Sequence, residues 1–473
     1  MVKVDNPLKR WTKIGTAALT AGTALLAGCD AAGGDEKKLM QLGQEEQATI
    51  KVMSMFDESY FFQLYGALFS AKYPNIDIQV ASTQGAISYG PDTDYNKQLY
   101  RFIDEQKPDV LLLTLDQYEK MAEEGRLYEL DSVIKQDKFD VDGILPSVIE
   151  TIKSRSGARL YGLAPGFSSQ ALFYNKTLFD SLGVPPPQDG MTWEQTIELA
   201  KRFGLAGNGS SRPSGLSLDS GDSVFRFIQM LGATKGLSYI DPAGATLTIK
   251  SDGWKRSAQL ALDAFKSKAI YRSDQQFLGG TMEDYYKQDP FIGGKTAMSI
   301  SGAYFIDSLK QAKALLKEMP EWDLVSLPAD PGNPESLSTI SVNQIFAVNA
   351  QSANPRAAWE FVKYVGGDEY ARVTSKSSVM GNLSSRVAYV KDPEGRNIEA
   401  FFKGKGGTSS ASKALSNVPN SFIEQLHPIA EAEFQEVLDG KKSVDDALQA
   451  IQDKGQAELT KAKQAQERSK ESK

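Results

Sequence analysis

Gly294-Lys295-Thr296 has the residue types that end a phosphate-cradling loop. Such a loop needs Gly-x-x-x-x-Gly-Lys-Ser/Thr, so that backbone N–H groups can hold the phosphates. Counting back from Gly294, the first glycine's place is taken by Asp289, a carboxylate where phosphate would sit. The spacing excludes a nucleotide loop. "GLAGNGSS" (204–211) lacks the third glycine of a dinucleotide loop. Metal and nucleophile chemistry are equally constrained. The chain has one histidine, His427, and one cysteine, Cys29. A Ser-His-Asp triad or a histidine-rich metal site would have to use His427, and no Gly-x-Ser-x-Gly elbow accompanies it. It reads as a surface or helix-packing residue. A single cysteine forms no intrachain disulfide and no multi-cysteine metal site. Asp92, Asp94 and Asn96 have calcium-loop spacing, but Lys97 stands where glycine is needed and Ile103 where the closing glutamate belongs. That stretch reads as a plain turn, and no metal or other cofactor is expected. Paired carboxylates for glycoside hydrolysis stay open, because spacing along the chain does not give separation in space.

The elements that must position any site belong to a chain of 473 residues, 41% apolar and 24% charged. A single core stops growing at roughly 250–300 residues, so two lobes are expected. The formal charge of −7 argues against a nucleic-acid partner, which needs a basic face. The C-terminal "KAKQAQERSKESK" is a mixed polar helix end.

The N-terminus reads as an address. Lys3, Lys9, Arg10 and Lys13 precede the apolar run "IGTAALTAGTALLAG", which ends at Cys29. Charged region, short apolar region and small residues before a cut make a signal peptide over 1–28. The run is shorter than the ~20 residues of a spanning helix. Leu26-Ala27-Gly28-Cys29 resembles a bacterial lipobox, which implies a diacylglyceryl group on the Cys29 thiol and a new N-terminus there. Residues 29–47 are small and polar and read as a flexible tether. The expected place is the extracytoplasmic face of the cell membrane.

From residue 49 the pattern alternates. "TIKVMSM", "NIDIQVAST" and the nearly all-apolar "KPDVLLLTL" read as strands. "ESYFFQLYGALFSAKYP", "YNKQLYRFIDEQ" and "DQYEKMAEEGRL" read as helices between and after them. Pro165-Gly166 breaks two strand segments. Thr192 and Gln195 form a capping box ahead of "WEQTIELAKRF", Pro355 suits a first helical position, and Ser443 suits an N-cap. "GNGSSRPSGLSLDSGDS" (207–223) reads as a surface loop. Strands alternating with helices predict α/β lobes, each a mostly parallel sheet flanked by helices.

Three segments, "KPDVLLLTLDQYEKMAEEGRLYELD", "YGLAPGFSSQALFYNKTLFDSLGVPPPQDGMTWEQ" and "GKTAMSISGAYFIDSL" with the following "SVNQIFAVNAQSANPRAAWEFVKYV", resemble the family 1 extracellular solute-binding proteins of bacterial ABC importers. The maltose- and oligosaccharide-binding proteins belong there. Gly166 and Ser181 depart from the family's pattern around Tyr174-Asn175. The resemblance implies a two-lobed, type II periplasmic-binding-protein-like fold with a hinge. Its lobes would comprise 48–165 with 335–375, and 166–334 with 376–473, crossing near Pro165-Gly166, Leu327–Leu337 and 375–380. It also implies a monomeric, non-enzymatic protein that takes a mono- or oligosaccharide to the transmembrane permease subunits of an importer. A surface-attached carbohydrate-active hydrolase is the alternative from another class; peptide, polyol or polyuronate ligands are alternatives within the binding class.

A sugar offers an apolar C–H face to an aromatic ring and a belt of hydroxyls to carboxylates and amides. Asp57 and Glu58 follow the first strand, and Asp116 and Gln117 follow "VLLLTL"; these positions also suit helix N-capping. Phe167 and Ser168 sit beside the expected hinge, and Phe167 suits a core equally well. Tyr304 follows the buried strand "KTAMSIS", where the family commonly places an aromatic on the solute. Asn382 lies in a segment that often borders the cleft. Tyr118, Tyr174 and Trp193 read as packing residues. If Cys29 carries the lipid, Cys29→Ala releases the protein from the membrane fraction; fractionation that finds the variant still membrane-bound overturns this reading.

Overall fold

The computed structural model describes residues 38–43, 46–88, 95–205, 213–219, 221, 223–272, 279–330, 332, 340–376, 381–404, 414–415 and 417–471. Cys29, the signal segment and the Asp92/Asp94 turn lie outside them. Two open α/β sheets organise the chain. The first has strand order β2-β1-β3-β10-β4: β1 (Ala48–Ser54), β2 (Ile76–Ser82), β3 (Val110–Leu113), β4 (Gly162–Leu163) and β10 (Ile345–Val348). β1 runs parallel to β2 and β3, and β10 runs against β3 and β4. The second has order β7-β8-β6-β9: β6 (Gln170–Asn175), β7 (Ser214–Leu218), β8 (Thr296–Gly302) and β9 (Trp322–Val325), with β6 running against β8 and β9. Each sheet thus has one reversed strand. β3, β8 and β10 are buried at every residue, as expected of strands covered by helices on both faces.

The local signals act as their chemistry dictates. The Gln195 side chain accepts the Thr192 N–H at 2.9 Å and the Thr192 hydroxyl accepts the Gln195 N–H at 3.2 Å, Pro355 opens the helix Pro355–Val365, and the Ser443 hydroxyl accepts from the Asp446 N–H at 3.1 Å. Asp289 is half-buried, and burial pushes its carboxyl up; its Oδ1 accepts the N–H groups of Phe291 and Ile292 at 2.9 and 2.8 Å. The carboxylate fills the turn that a nucleotide loop would leave for phosphate.

Three features depart from the sequence reading. The first is β7, which occupies part of the expected 207–223 surface loop. "SGLSL" looks like a loop because its small residues have low strand propensity. Gly215 nevertheless lies against the helix Trp193–Leu205, where a Cβ would stand 2.1 Å from the Ala200 carbonyl oxygen. Close helix-to-sheet packing selects the small residues here. The second is a π-helical turn, Phe62–Gly66, inside the helical stretch Glu58–Lys72. The third is the end of the expected tether: Leu39 and Leu42 pack on the core, and Gln136 Nε2 donates to the Leu39 carbonyl at 2.6 Å.

A buried ion cluster fastens the helix Pro355–Val365 to the end of the helix Asp131–Asp137. Asp137 accepts from Arg356 at 2.9 and 2.8 Å, from Trp359 Nε1 at 3.0 Å and from Lys363 at 3.0 Å. Glu360 closes the ring through Arg356 and Lys363. Burial raises the Asp137 pKa, but these four hydrogen bonds outweigh it and hold the carboxyl at about 2 against an ordinary 3.8. A depressed carboxylate contributes stability above its unfolded pKa and loses it as pH falls through the folded value. Asp137 therefore contributes about 2 kcal/mol above pH ~4 that vanishes towards pH ~2. Chemical denaturation of wild type and Asp137→Asn at pH 5 and pH 2.5 should show the stability gap narrowing by about that amount; a gap independent of pH would refute the assignment.

Candidate functional site

Strand register brings polar residues together at one edge of each sheet. In the first sheet Ser54 pairs with Ser82, and Ile345 pairs with Leu113. The register carries Gln344, just ahead of the reversed strand, to the level of Thr114, just after β3. In the second sheet Gln170 pairs with Gly302 and Leu218 with Ile300, which brings Asp219 level with Ser301. Open α/β sheets bind ligands beyond the carboxyl ends of their strands, and in each sheet the reversed strand adds its first residues to that edge.

Tyr304 is the centre of the second edge. It begins the helix Tyr304–Leu315 and is 43% exposed, so it is not a core residue. Its hydroxyl donates to Asp219 Oδ1 and lies 3.2 Å from the Ser301 hydroxyl. Gln170 Nε2 donates to the other Asp219 oxygen at 3.4 Å. Partial burial pushes the Tyr304 pKa up to about 12, and the hydrogen bond to Asp219 adds to the rise. The phenol is a protonated donor at any ordinary pH. Gly302 makes room for the ring: a Cβ there would stand 3.0 Å from it.

Three chain passages connect the sheets and meet here. β5 (Gly166–Phe167) lies between β4 and β6; it pairs with β11 (Leu383–Ser384), and Ser168 exchanges two backbone hydrogen bonds of 2.9 Å with Ser341, between β9 and β10. Just ahead of β11, Asn382 Nδ2 donates to Gln344 Oε1 at 3.3 Å, and the buried Tyr65 hydroxyl donates to the same oxygen at 3.0 Å. Gly381 faces the other way, where a Cβ would stand 3.4 Å from the Tyr304 Cβ. Residues 381–382 therefore touch both sheet edges. A small cavity of about 20 Å³, room for one water, lies beside them between Tyr65, Gly166, Gln344, Tyr370 and Asn382. A larger hollow of about 620 Å³ lies on the helix Tyr95–Gln106 beside Lys120.

The structure thus gathers Tyr304, Asn382 and Ser168 around the connecting passages. Asp57, Glu58, Asp116 and Gln117 lie at the first sheet's edge. Asp57 caps its helix by accepting the Tyr60 N–H at 3.0 Å. Asp116 does not cap: Thr114 does so, in a capping box with Gln117, and Asp116 is exposed, 3.9 Å from Arg155. Phe167 is 0% exposed and meets Phe402 edge-on at 6.4 Å, so its ring belongs to the core beneath the passages. Sequence reasoning missed Gln170, Asp219 and Gln344, because only long-range register puts them there. It also missed the edge-to-face pair Phe56 and Tyr60, 5.3 Å apart beside Asp57; an aromatic directly after a strand was the available signal. His427 Nε2 lies 3.2 Å from the Ser223 hydroxyl, which donates to Glu431 at 3.0 Å. Glu431 also accepts the N–H groups of Val224 and Phe225, so this trio is a helix cap and lacks the acid-to-imidazole bond of a triad.

Residues 56–372 match the family model for bacterial extracellular solute-binding proteins. The chain belongs to this family. Solved structures share its two-lobed, type II periplasmic-binding-protein-like fold. An ABC substrate-binding protein from Listeria monocytogenes, in complex with cycloalternan, has a TM-score of 0.58 at 21% identity, covering 87% of this chain and 98% of that one. The sugar-binding protein MalE from Xanthomonas citri has a TM-score of 0.63 at 17% identity, covering 89% and 99%. An ABC transporter solute-binding protein from Agrobacterium vitis, with bound D-mannitol, has a TM-score of 0.53 at 17% identity, covering 88% and 99%. Among the described residues of this solute-binding protein, no helix is long and apolar enough to cross a membrane.

The exposure of Tyr304 yields a prediction. Tyr304→Ala in the ligand-free solute-binding protein should leave the melting temperature nearly unchanged, because a half-exposed ring leaves no sealed cavity. Calorimetry showing a loss of several kcal/mol would return Tyr304 to the core.

Proposed function

We propose that this solute-binding protein captures a mono- or oligosaccharide between its two sheet edges, without turnover, and delivers it to the permease subunits of an ABC importer. The observation that carries the reading is Tyr304: an aromatic ring left exposed at the strand ends, with its hydroxyl occupied by Asp219 and Ser301. A ring held by its edge offers its face, which suits the C–H face of a sugar. Asp57, Glu58, Asp116, Gln117, Ser168 and Asn382 are proposed to meet hydroxyls, with Asp219, Gln170 and Gln344 added. Phe167 serves by packing. The lobes are proposed as 48–165 with 335–375 and 166–334 with 376–473, hinged at the three passages. The mature chain is proposed as a monomer with a lipid anchor on Cys29 at the extracytoplasmic membrane face. Neighbours that carry cycloalternan and mannitol support the carbohydrate or polyol class.

Contacts from both edges exist together only in a closed state. Titration with an oligosaccharide panel should show binding without product, and scattering should show a smaller radius of gyration with the bound member. Tyr304→Ala should weaken that binding by about 1–3 kcal/mol, the range of aromatic stacking on other flat ligands, whereas Tyr304→Phe should retain most of it. Release of shorter sugars would favour the hydrolase reading, and an unchanged radius would reject the hinge.

A further inference from the structure

We infer that the solute carries no negative charge: it is a neutral or amino-bearing saccharide, and acidic sugars such as uronates are rejected. This rests on the carbohydrate reading above. The segments at the two edges and in the passages between them are 54–58, 82–88, 114–117, 164–170, 301–304, 341–344 and 381–382, with Asp219. They contain Asp57, Glu58, Asp116 and Asp219 and no Lys, Arg or His; the cation beside Asp116, Arg155 at 3.9 Å, is buried and bonded to Glu119 at 2.6 Å. Lys and Arg make up 53 of the chain's 473 residues, a rate at which segments of this combined length would hold about four. The nearest cation along the chain to Asn382 is Arg386, which is buried and turned to Asp140 and Asp368.

What remains at the edges is neutral and suited to hydroxyls: the serines, Thr114, Gln117, Gln170, Gln344 and Asn382. Asp219 is accepting from Tyr304 and Gln170, neither of which is charged, so its charge is solvated but not neutralised by either partner. Helix N-termini are the competing source of positive potential, each equivalent to roughly half a charge. Asp57 already occupies one of them, and Thr114 with Gln117 satisfies another. The helix Tyr304–Leu315 starts without a side-chain cap, but it has Asp307 in its first turn and Asp219 beside Tyr304. Half a charge there does not offset whole carboxylate charges on both edges. A uronate brought between them would shed water without gaining a counter-charge, whereas an ammonium would gain several.

Calorimetric titration at pH 6.5 with maltotriose, cellotriose, xylotriose, the glucosamine trimer and trigalacturonate tests this. The expected result is that a neutral or amino trimer binds and that trigalacturonate binds at least about ten-fold more weakly. Raising the salt concentration should narrow the gap, as should Asp116→Asn with Asp219→Asn. Asp116 caps no helix, and asparagine at 219 keeps an acceptor for Tyr304, so this variant should fold. Trigalacturonate binding as tightly as the best neutral trimer would overturn the charge inference and leave the carbohydrate reading standing. Binding of none of the five would overturn both.

Discussion

Everything at the candidate site depends on how closely three passages of backbone can approach one another. At Gly166 a Cβ would stand 2.8 Å from the Leu383 carbonyl oxygen and 3.3 Å from Asn382. No real side chain tolerates the first of these without moving the partner strand. Glycine lets β5 and β11 pair as backbone against backbone, and the Ser168–Ser341 pair extends the ladder. If β11 were pushed outward, Asn382 would leave Gln344 and Gly381 would leave Tyr304. Glycine at 166 is thus a packing requirement of this crossing.

The passage is also anchored by charge. Arg386 is 3% exposed and reaches Asp140 at 3.1 Å, Asp368 at 3.0 Å and the Gly366 carbonyl at 2.8 Å. A buried guanidinium is costly unless each donor finds a partner, so these contacts restrict where residues 383–386 can lie. Ser385 adds two backbone bonds, donating to Pro165 at 2.9 Å and accepting from Leu145 at 2.7 Å. The chain then reaches the second sheet: Asn397 donates to Asp323 at 3.0 Å, and Ser169 donates to the Phe401 carbonyl at 2.7 Å.

How much was legible in the sequence follows from the range of the forces involved. Elements decided by a few neighbouring residues were readable: the apolar run of β3, the Thr192 capping box, Pro355 at its helix start, and Ser443 at its N-cap. The place of Tyr304, at a helix start just after a buried strand, was readable because a strand, a glycine and an aromatic lie within a few residues; its part in a site came from the resemblance. β7 was not, since its small residues are explained only by the Ala200 backbone against Gly215. Asp219 and Gln344 were not, since pairings across 82 and 232 residues, Leu218 with Ile300 and Leu113 with Ile345 being their markers, set their places. Phe167 had two readings because an aromatic beside a hinge suits core and cleft alike; only its burial under Phe402 separates them.

The two edges are chemically unequal, and this bears on how a solute would be held. The second edge is preassembled: Gln170, Asp219, Ser301 and Tyr304 already bond one another, and Gly302 seats the ring. At the first edge Asp57 and Thr114 are spent on helix caps, while Glu58, Asp116, Tyr60 and Met55 stand exposed. Preorganised groups cost little entropy on binding, whereas exposed long side chains must be ordered. A solute would therefore dock first on the Tyr304 edge, and ordering of the first edge would accompany closure. Gln344 joins the two regions, because its amide oxygen holds Tyr65 in the first core and Asn382 in the passage that touches Tyr304.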